Sequence, residues 1–444
     1  MEGTPNTFAW IALAVSPFAI VAVYAALGRE ARLARTTAWI MLLSAMFLPS
    51  GVRLKTPGVP FLDKHRLTFL AIAVGLYLFH PGKLLRVAPA RWFPRAVLAV
   101  MIFGIWQTVR TNGDVLTFGP TQLPGLKPYD IASLAAGVFL DVYLPFTIGQ
   151  RVFQRTADVV DLLEVMSLCG LVYAPFCLLE VRLSPQFHRW VYGTHPSSFL
   201  QQIRYGGFRP VVFMNHGLTV AMFLFSCFCA SLGLRKARAG AGAPVPAGVR
   251  AAVDGGLLLL CKSLGAALYG VVAFGAMSLR RAKALRWGIV LVALLVVLYP
   301  AMRYTHRFPR DWLVAQFGTI SAERAGSLDV RFFNEDMLLA RAAERPWFGW
   351  GSFGRNRIHS SWGQDVSITD GEWIVWLGSF GVVGAVAFFS LVLVPPVRFA
   401  RHSTAMPPRE AWVVGTLAVI VTAFAVDLIP NSLSDFLPLA YAGA

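Results

Sequence analysis

Apolar runs close to the length that crosses a bilayer follow one another along the chain, at about 8–27, 36–51, 66–80, 92–110, 128–148, 161–180, 211–233, 287–301, 371–395 and 411–429. In hydrocarbon only a helix or a closed barrel satisfies its own backbone hydrogen bonds, and runs of this length suit helices. The pattern predicts an all-α polytopic membrane protein of about eleven or twelve transmembrane helices, with residues 1–444 forming a single membrane domain. Composition agrees, since 56% hydrophobic and 14% charged residues in a chain of 444 exclude an ordinary soluble globule. The first run is too long, and its N-terminal flank too poor in Arg and Lys, for a cleaved signal, so it reads as a retained helix.

A further run, 252–279, does not fit as one span. Positively charged short loops stay in the cytoplasm, which places Arg29, Arg32 and Arg35 inside, along with Arg151, Arg155, Arg235, Lys236 and Arg238, and puts the N-terminus outside. The loop at 51–66, with Arg53, Lys55, Lys64 and Arg66, would lie outside against an equally basic loop at 81–95, and that pair does not decide. A single helix over 252–279 would carry the dense basic loop Arg280, Arg281, Lys283, Arg286 outside. A break at Cys261–Gly265, with 252–261 entering the membrane and 264–279 returning, restores the rule. Lys262 then lies at the break, where a lysine that costs about 3 kcal/mol at mid-membrane reaches a polar cavity. The alternative is one long helix with Lys262 buried against Asp141 or Glu180. Residues 235–250, basic and rich in Ala, Gly and Pro, read as a cytoplasmic linker, and 302–370 as a large helical extracytoplasmic loop.

The net charge of +17 sits mainly in short loops, where it sets topology and meets anionic lipid, so membrane rather than nucleic acid accounts for it. All five cysteines fall in apolar segments and suggest neither a disulfide framework nor a zinc site. No metal or cofactor is expected.

Candidate chemistry concentrates in two loops. Residues 302–370 hold nine arginines and no lysine. Guanidinium grips phosphate or carboxylate through a planar fork, so such a loop suggests anion recognition. Within it, 331–345 has apolar residues at helical spacing and reads as an amphipathic surface helix stopped by Pro346. A stretch alternating glycine with aromatics follows, Trp347 to Gly354, suited to a sugar-stacking or lipid-facing turn or to an interfacial belt. The other loop ends in Arg204-Tyr205-Gly206-Gly207-Phe208-Arg209-Pro210, with Asn215-His216-Gly217 just inside the next span. Paired glycines allow close backbone approach, and two arginines at a helix N-terminus make a sensible diphosphate site, unless they only snorkel to the interface.

Three blocks, Arg204 to Gly217, then Arg341 to Gly351 with Phe353, then Thr369-Asp370-Gly371-Glu372-Trp373 with Leu377 to Gly384, occur in the order seen in the O-antigen ligase and polymerase superfamily, which the C-terminal half of the chain resembles. Lys262-Ser263-Leu264-Gly265-Ala266 is similar to that family's Ser-Arg-Gly-Ala helix motif. The resemblance implies a metal-independent glycosyltransferase on the outer face of a bacterial cytoplasmic membrane, acting on glycans carried by undecaprenyl diphosphate, with other polysaccharide-assembly proteins as further partners. It implies that arginines hold the lipid diphosphate: Arg204 and Arg209 match the first block, and Arg331, Arg341 and Arg345 lie in the corresponding loop. Asn215, His216 and Lys262 join them as candidate substrate-binding residues. Where the family's ligases carry a His-Asn pair this chain has Thr369-Asp370-Gly371-Glu372, a departure that favours polymerisation. Asp370, with Glu372 beside it, is then a candidate general base or an ordinary helix N-cap, and His359 and Asp365 are further candidate bases.

Two other readings stand beside this one. A transporter of lipid-linked glycan or anionic solute would use Lys262, Asp141 and Glu180 as a midplane site, although the halves of the chain show no repeated pair of interrupted helices. A structural envelope subunit would leave the loop arginines individually dispensable.

Overall fold

The structure, a computed structural model, describes residues 3–27, 33–56, 59–85, 92–204, 206–239, 244–320, 322–432 and 436–444. It is all-helical apart from three small hairpins. The helices are α1 (Thr7–Ala26), α2 (Leu33–Phe47), α3 (Lys64–Phe79), α4 (Pro81–Leu85), α5 (Trp92–Thr111), α6 (Pro128–Val138), α7 (Leu144–Val152), α8 (Thr156–Leu183) and α9 (Phe187–Tyr192). They continue with α10 (Gly217–Ala237), α11 (Ala247–Leu260), α12 (Leu264–Ser278), α13 (Leu285–Tyr304), α14 (Arg310–Ile320), α15 (Ala322–Ala343), α16 (Glu372–His402), α17 (Pro408–Asp427) and α18 (Leu437–Gly443). The antiparallel hairpins pair β1 (Leu54–Thr56) with β2 (Val59–Leu62), β3 (Leu116–Phe118) with β4 (Thr121–Leu123), and β5 (Ile203–Arg204) with β6 (Gly207–Phe208).

Among the described residues eight helices are long and apolar enough to cross a membrane, and α2 and α12 are shorter apolar helices. The protein is a multi-pass membrane protein. Its central helix is α10, buried along most of its length and packed against α8, α11, α12 and α17. The rims of α12 and α13 instead expose Leu268, Val271, Val272, Leu291, Leu294 and Leu295, as a surface bathed in lipid does.

The run 252–279 is broken where its charge balance requires. A Cβ built on Gly248, near the start of α11, would lie 4.0 Å from Arg235 Cδ at the C-terminal end of α10. Cys261 and Lys262, at its finish, meet Arg209 before the N-terminal end of α10. The chain turns at Lys262, whose φ of 50° lies in the left-handed region, and α12 runs back until the Ser278 and Leu279 carbonyls accept bonds from Lys236 Nζ. Helices α11 and α12 therefore form a hairpin that enters and leaves beside one end of α10. The linker 235–250 spans the end of α10 and the start of α11, and its residues 240–243 lie outside the described residues.

Several basic residues that look topogenic prove structural. Lys64 Nζ donates to the carbonyls of Ala45, Leu48 and Phe213. Arg66 grips Asp141 through both carboxylate oxygens at 2.6 Å and stacks on Phe61. A π-turn, Phe139–Tyr143, presents Asp141 to it between α6 and α7. Pro145, four residues on, has no N–H for the Asp141 carbonyl, which loosens the helix there.

Beyond the bundle, α15 begins nine residues before the 331–345 stretch expected from periodicity. It packs Leu338, Leu339 and Ala342 on Trp373, Ile374 and Leu377 of α16. The glycine-aromatic segment docks on α16, burying Trp350 and leaving Trp347 and Phe353 exposed. Helix α16 breaks at Gly381, with φ 66°, where a Cβ would lie 2.3 Å from the Trp347 carbonyl carbon. The broken turn pairs with the loop: Val382 N–H donates to Pro346 O at 2.8 Å, and Trp350 and Gly351 N–H donate to Gly378 and Ser379 O at 2.8 Å. Sequence blocks 341–351 and 377–384 thus meet because each supplies backbone groups that the other leaves unsatisfied.

Candidate functional site

At the end of the bundle where α10 begins, a cavity of about 740 Å³ opens between the α11–α12 turn, α15 and the C-terminal end of α17. Its lining includes Arg204, Arg209, His216, Lys262, Arg331 and Asp370, which come from four separate stretches of sequence. Apolar residues of α10, α12, α17 and α18, among them Met222, Leu264, Phe424 and Leu437, share the rest of the wall with polar ones such as Ser226, Ser263 and Asn431.

Each polar group has its own setting. The β5–β6 hairpin holds Arg204 exposed, and its guanidinium makes no ion pair or hydrogen bond among the described residues. Lys262 Nζ donates to the Arg204 carbonyl at 3.3 Å. Gly207 makes room for that ammonium, since a Cβ there would lie 2.2 Å from Nζ. Arg209 is buried, and its Nε and Nη2 donate to the Cys261 and Lys262 carbonyls at 3.3 and 3.2 Å. Its fork therefore braces the turn that presents Lys262, a positioning task that sequence alone does not reveal. Arg331 reaches over from α15 and pairs with Asp370 at 3.5 Å. The N-cap of α16 is Gly371, so Asp370 faces the arginine and is not the cap residue.

His216 caps α10. Its Nδ1 accepts the Leu218 N–H at 3.1 Å, which leaves Nε2 to carry the proton toward Gln201 Oε1 at 3.2 Å.

The other candidates lie elsewhere. Asn215 adjoins His216 without lining the cavity. Arg341 and Arg345 stack on Trp350, their guanidinium carbons 3.4 and 4.2 Å from the ring centroid. Arg341 also bonds Glu344 and the Arg355 carbonyl and so ties the loop to itself, whereas Arg345 bonds the Thr111 carbonyl and Asp114 and fastens the loop to the end of α5. Glu372 accepts from Trp376 Nε1 at 2.8 Å inside its own helix. His359 stacks on Phe118. For Asp365, burial is outweighed by the Ser367 hydroxyl and N–H and by Arg357, and its carboxyl stays below the usual range, which suits a structural ion pair better than a base. The transporter triad does not assemble either, because Asp141 is taken by Arg66 and Glu180 by backbone amides.

One carboxylate was not singled out from the sequence. Asp427, at the C-terminal end of α17, lines the cavity together with Asn431 and Tyr269. It accepts from Asn431 Nδ2 at 2.9 Å. The signal was present, since an acidic residue inside an apolar run is a functional candidate by default.

The cavity thus brings clustered cations and two carboxylates together with apolar side chains at one end of the bundle. No family model matches the chain. No curated protein resembles it closely enough to count as a relative.

Proposed function

We propose that the protein is a glycosyltransferase that polymerises or ligates glycan repeat units carried on undecaprenyl diphosphate, at the outer face of a bacterial cytoplasmic membrane. The observation that carries this reading is the gathering of Arg204, Lys262 and Arg331 onto one cavity that also presents apolar side chains, interspersed with hydroxyl and amide groups. A lipid diphosphate needs both, and the resemblance of the same blocks to the O-antigen ligase and polymerase superfamily points the same way.

In the proposed reaction an acceptor sugar hydroxyl attacks the anomeric carbon of the lipid-linked glycan. The bond from that carbon to the diphosphate oxygen breaks, and undecaprenyl diphosphate leaves with the electron pair. Arg204, Lys262 and Arg331 neutralise the charge that grows on it, the part that metal ions or arginines commonly play at transferring phosphates. The hydroxyl proton passes to a cavity carboxylate. Asp370 is already engaged by Arg331 and stands 41% exposed, where water competes for it. Asp427, with one oriented hydrogen bond from a neutral amide, is the better placed acceptor.

The test is release of undecaprenyl diphosphate by the purified protein in nanodiscs, given a glycan on that carrier and no added metal. Lys262→Met should lower kcat/KM by about 10- to 100-fold, the worth of one charge-assisted hydrogen bond. Binding of the lipid-linked glycan without any release by the wild type would sink the enzymatic reading and leave transport of the same lipid in its place.

A further inference from the structure

The segment before α10 is not helical as far as residue 216, although 211–233 reads as one apolar run. Residues 210–214 are buried irregular backbone inside the bundle, an arrangement tolerated only where protein groups replace the missing helical bonds. Those groups come from distant helices. Glu180, 1% exposed on α8, accepts the N–H of Val211 and Val212 on Oε2 at 2.8 and 2.7 Å, and that of Phe187 on Oε1 at 2.9 Å. The Tyr173 hydroxyl accepts the Phe213 N–H. On the carbonyl side, Ser50 and Lys64 both donate to Phe213 O. Negative and positive groups thus sit on the opposite ends of the peptide dipoles. Val212 is held at φ 52°, a conformation that β-branched residues avoid.

We propose that Glu180 is a positioning residue for the cavity: by gathering these amides it fixes the unwound segment whose two ends carry Arg209 and His216. Resting on the glycosyltransferase reading, this extends the site by a chain of contacts. Glu180 holds Val211 and Val212, the adjoining Arg209 braces the Cys261 and Lys262 carbonyls, and Lys262 is thereby held at the cavity. The carboxylate is suited to this because it offers acceptors only, whereas an amide would turn a donor toward a donor.

Hydrogen exchange and turnover of the full chain in nanodiscs separate the possibilities. In Glu180→Gln the new NH2 must face either the Phe187 N–H or the pair at 211 and 212, and the amides it faces should exchange at least about tenfold faster while those of α8 and α10 stay protected. The value of kcat/KM should fall about tenfold, mainly in kcat, because misplaced groups cost most in the transition state. Glu180→Asp keeps the carboxylate and should recover most of that loss, and it replaces the glutamine variant should the latter not fold, with exchange at 211 and 212 still raised by its shorter reach. Unchanged exchange would overturn the clamp. Faster exchange with undiminished turnover would overturn the positioning role. Should the wild type show no turnover, the glycosyltransferase reading fails separately, and binding of undecaprenyl diphosphate then decides: equal affinity in wild type and Glu180→Gln overturns the proposal, and weaker affinity in the variant upholds it.

Discussion

Asp427→Asn is expected to lower kcat by about 10³-fold, within the usual worth of a general base, while leaving the binding of undecaprenyl diphosphate unchanged. The substitution is nearly isosteric and keeps an oxygen for the Asn431 amide, so the cavity should hold its shape. Asp370→Asn should cost about tenfold, because it only unpairs Arg331 at a half-exposed position. Single-turnover release of the lipid diphosphate, measured side by side for the two variants, checks both. A larger loss in Asp370→Asn would return the role of base to the residue that sequence reasoning favoured.

Arg303→Ala is expected to destabilise the protein by about 3–5 kcal/mol, the cost of stripping one partner from a buried ion pair. Arg303, 4% exposed at the end of α13, donates to Glu335 at 2.9 Å, to Asp336 at 2.8 Å and to the Phe332 carbonyl at 3.0 Å. It thereby holds α15, and with it Arg331, over the cavity. Without it, among the described residues, Glu335 keeps the hydrogen bond from Tyr299 at 2.7 Å. Burial already raises the Glu335 pKa against the pull of Tyr299 and Arg303. Losing the arginine raises it further, and a protonated Glu335 has no need of a cation. The deficit should accordingly shrink as pH falls from about 8 to about 5. Thermal unfolding at both ends of that range, with limited proteolysis across 305–330, would reveal it. An equal loss at both pH values would mean that Arg303 matters through packing on Phe332 and Phe308 instead.

Some of the site was legible in sequence because it follows from rules that act locally. The break at Lys262 came from charge parity, a bookkeeping that needs no tertiary information. Arg204, His216, Arg331 and Asp370 were each flagged and are each found at the cavity. Other residues could not be sorted that way. A guanidinium that binds a ligand and one that stacks on an indole read alike in sequence, so Arg341 and Arg345 look equivalent to Arg331 although both lie on the buried Trp350 ring. Asp427 reads as part of an apolar run, and nothing in the sequence shows that Arg209, which lines the cavity, also donates to the Cys261 and Lys262 carbonyls.

By itself the sequence determined the class of molecule and the approximate helix positions and offered the hairpin at 261–265 beside a single long helix, since hydrophobic length and loop charge are set against the bilayer one segment at a time. Tertiary structure decided where α10 begins, which arginines stay available and which carboxylates face the cavity. Those outcomes depend on pairings between groups far apart in the chain, as Glu180 with Val212 and Arg331 with Asp370 show. Whether a buried polar group serves its neighbours or a ligand is settled by where its hydrogen bonds go.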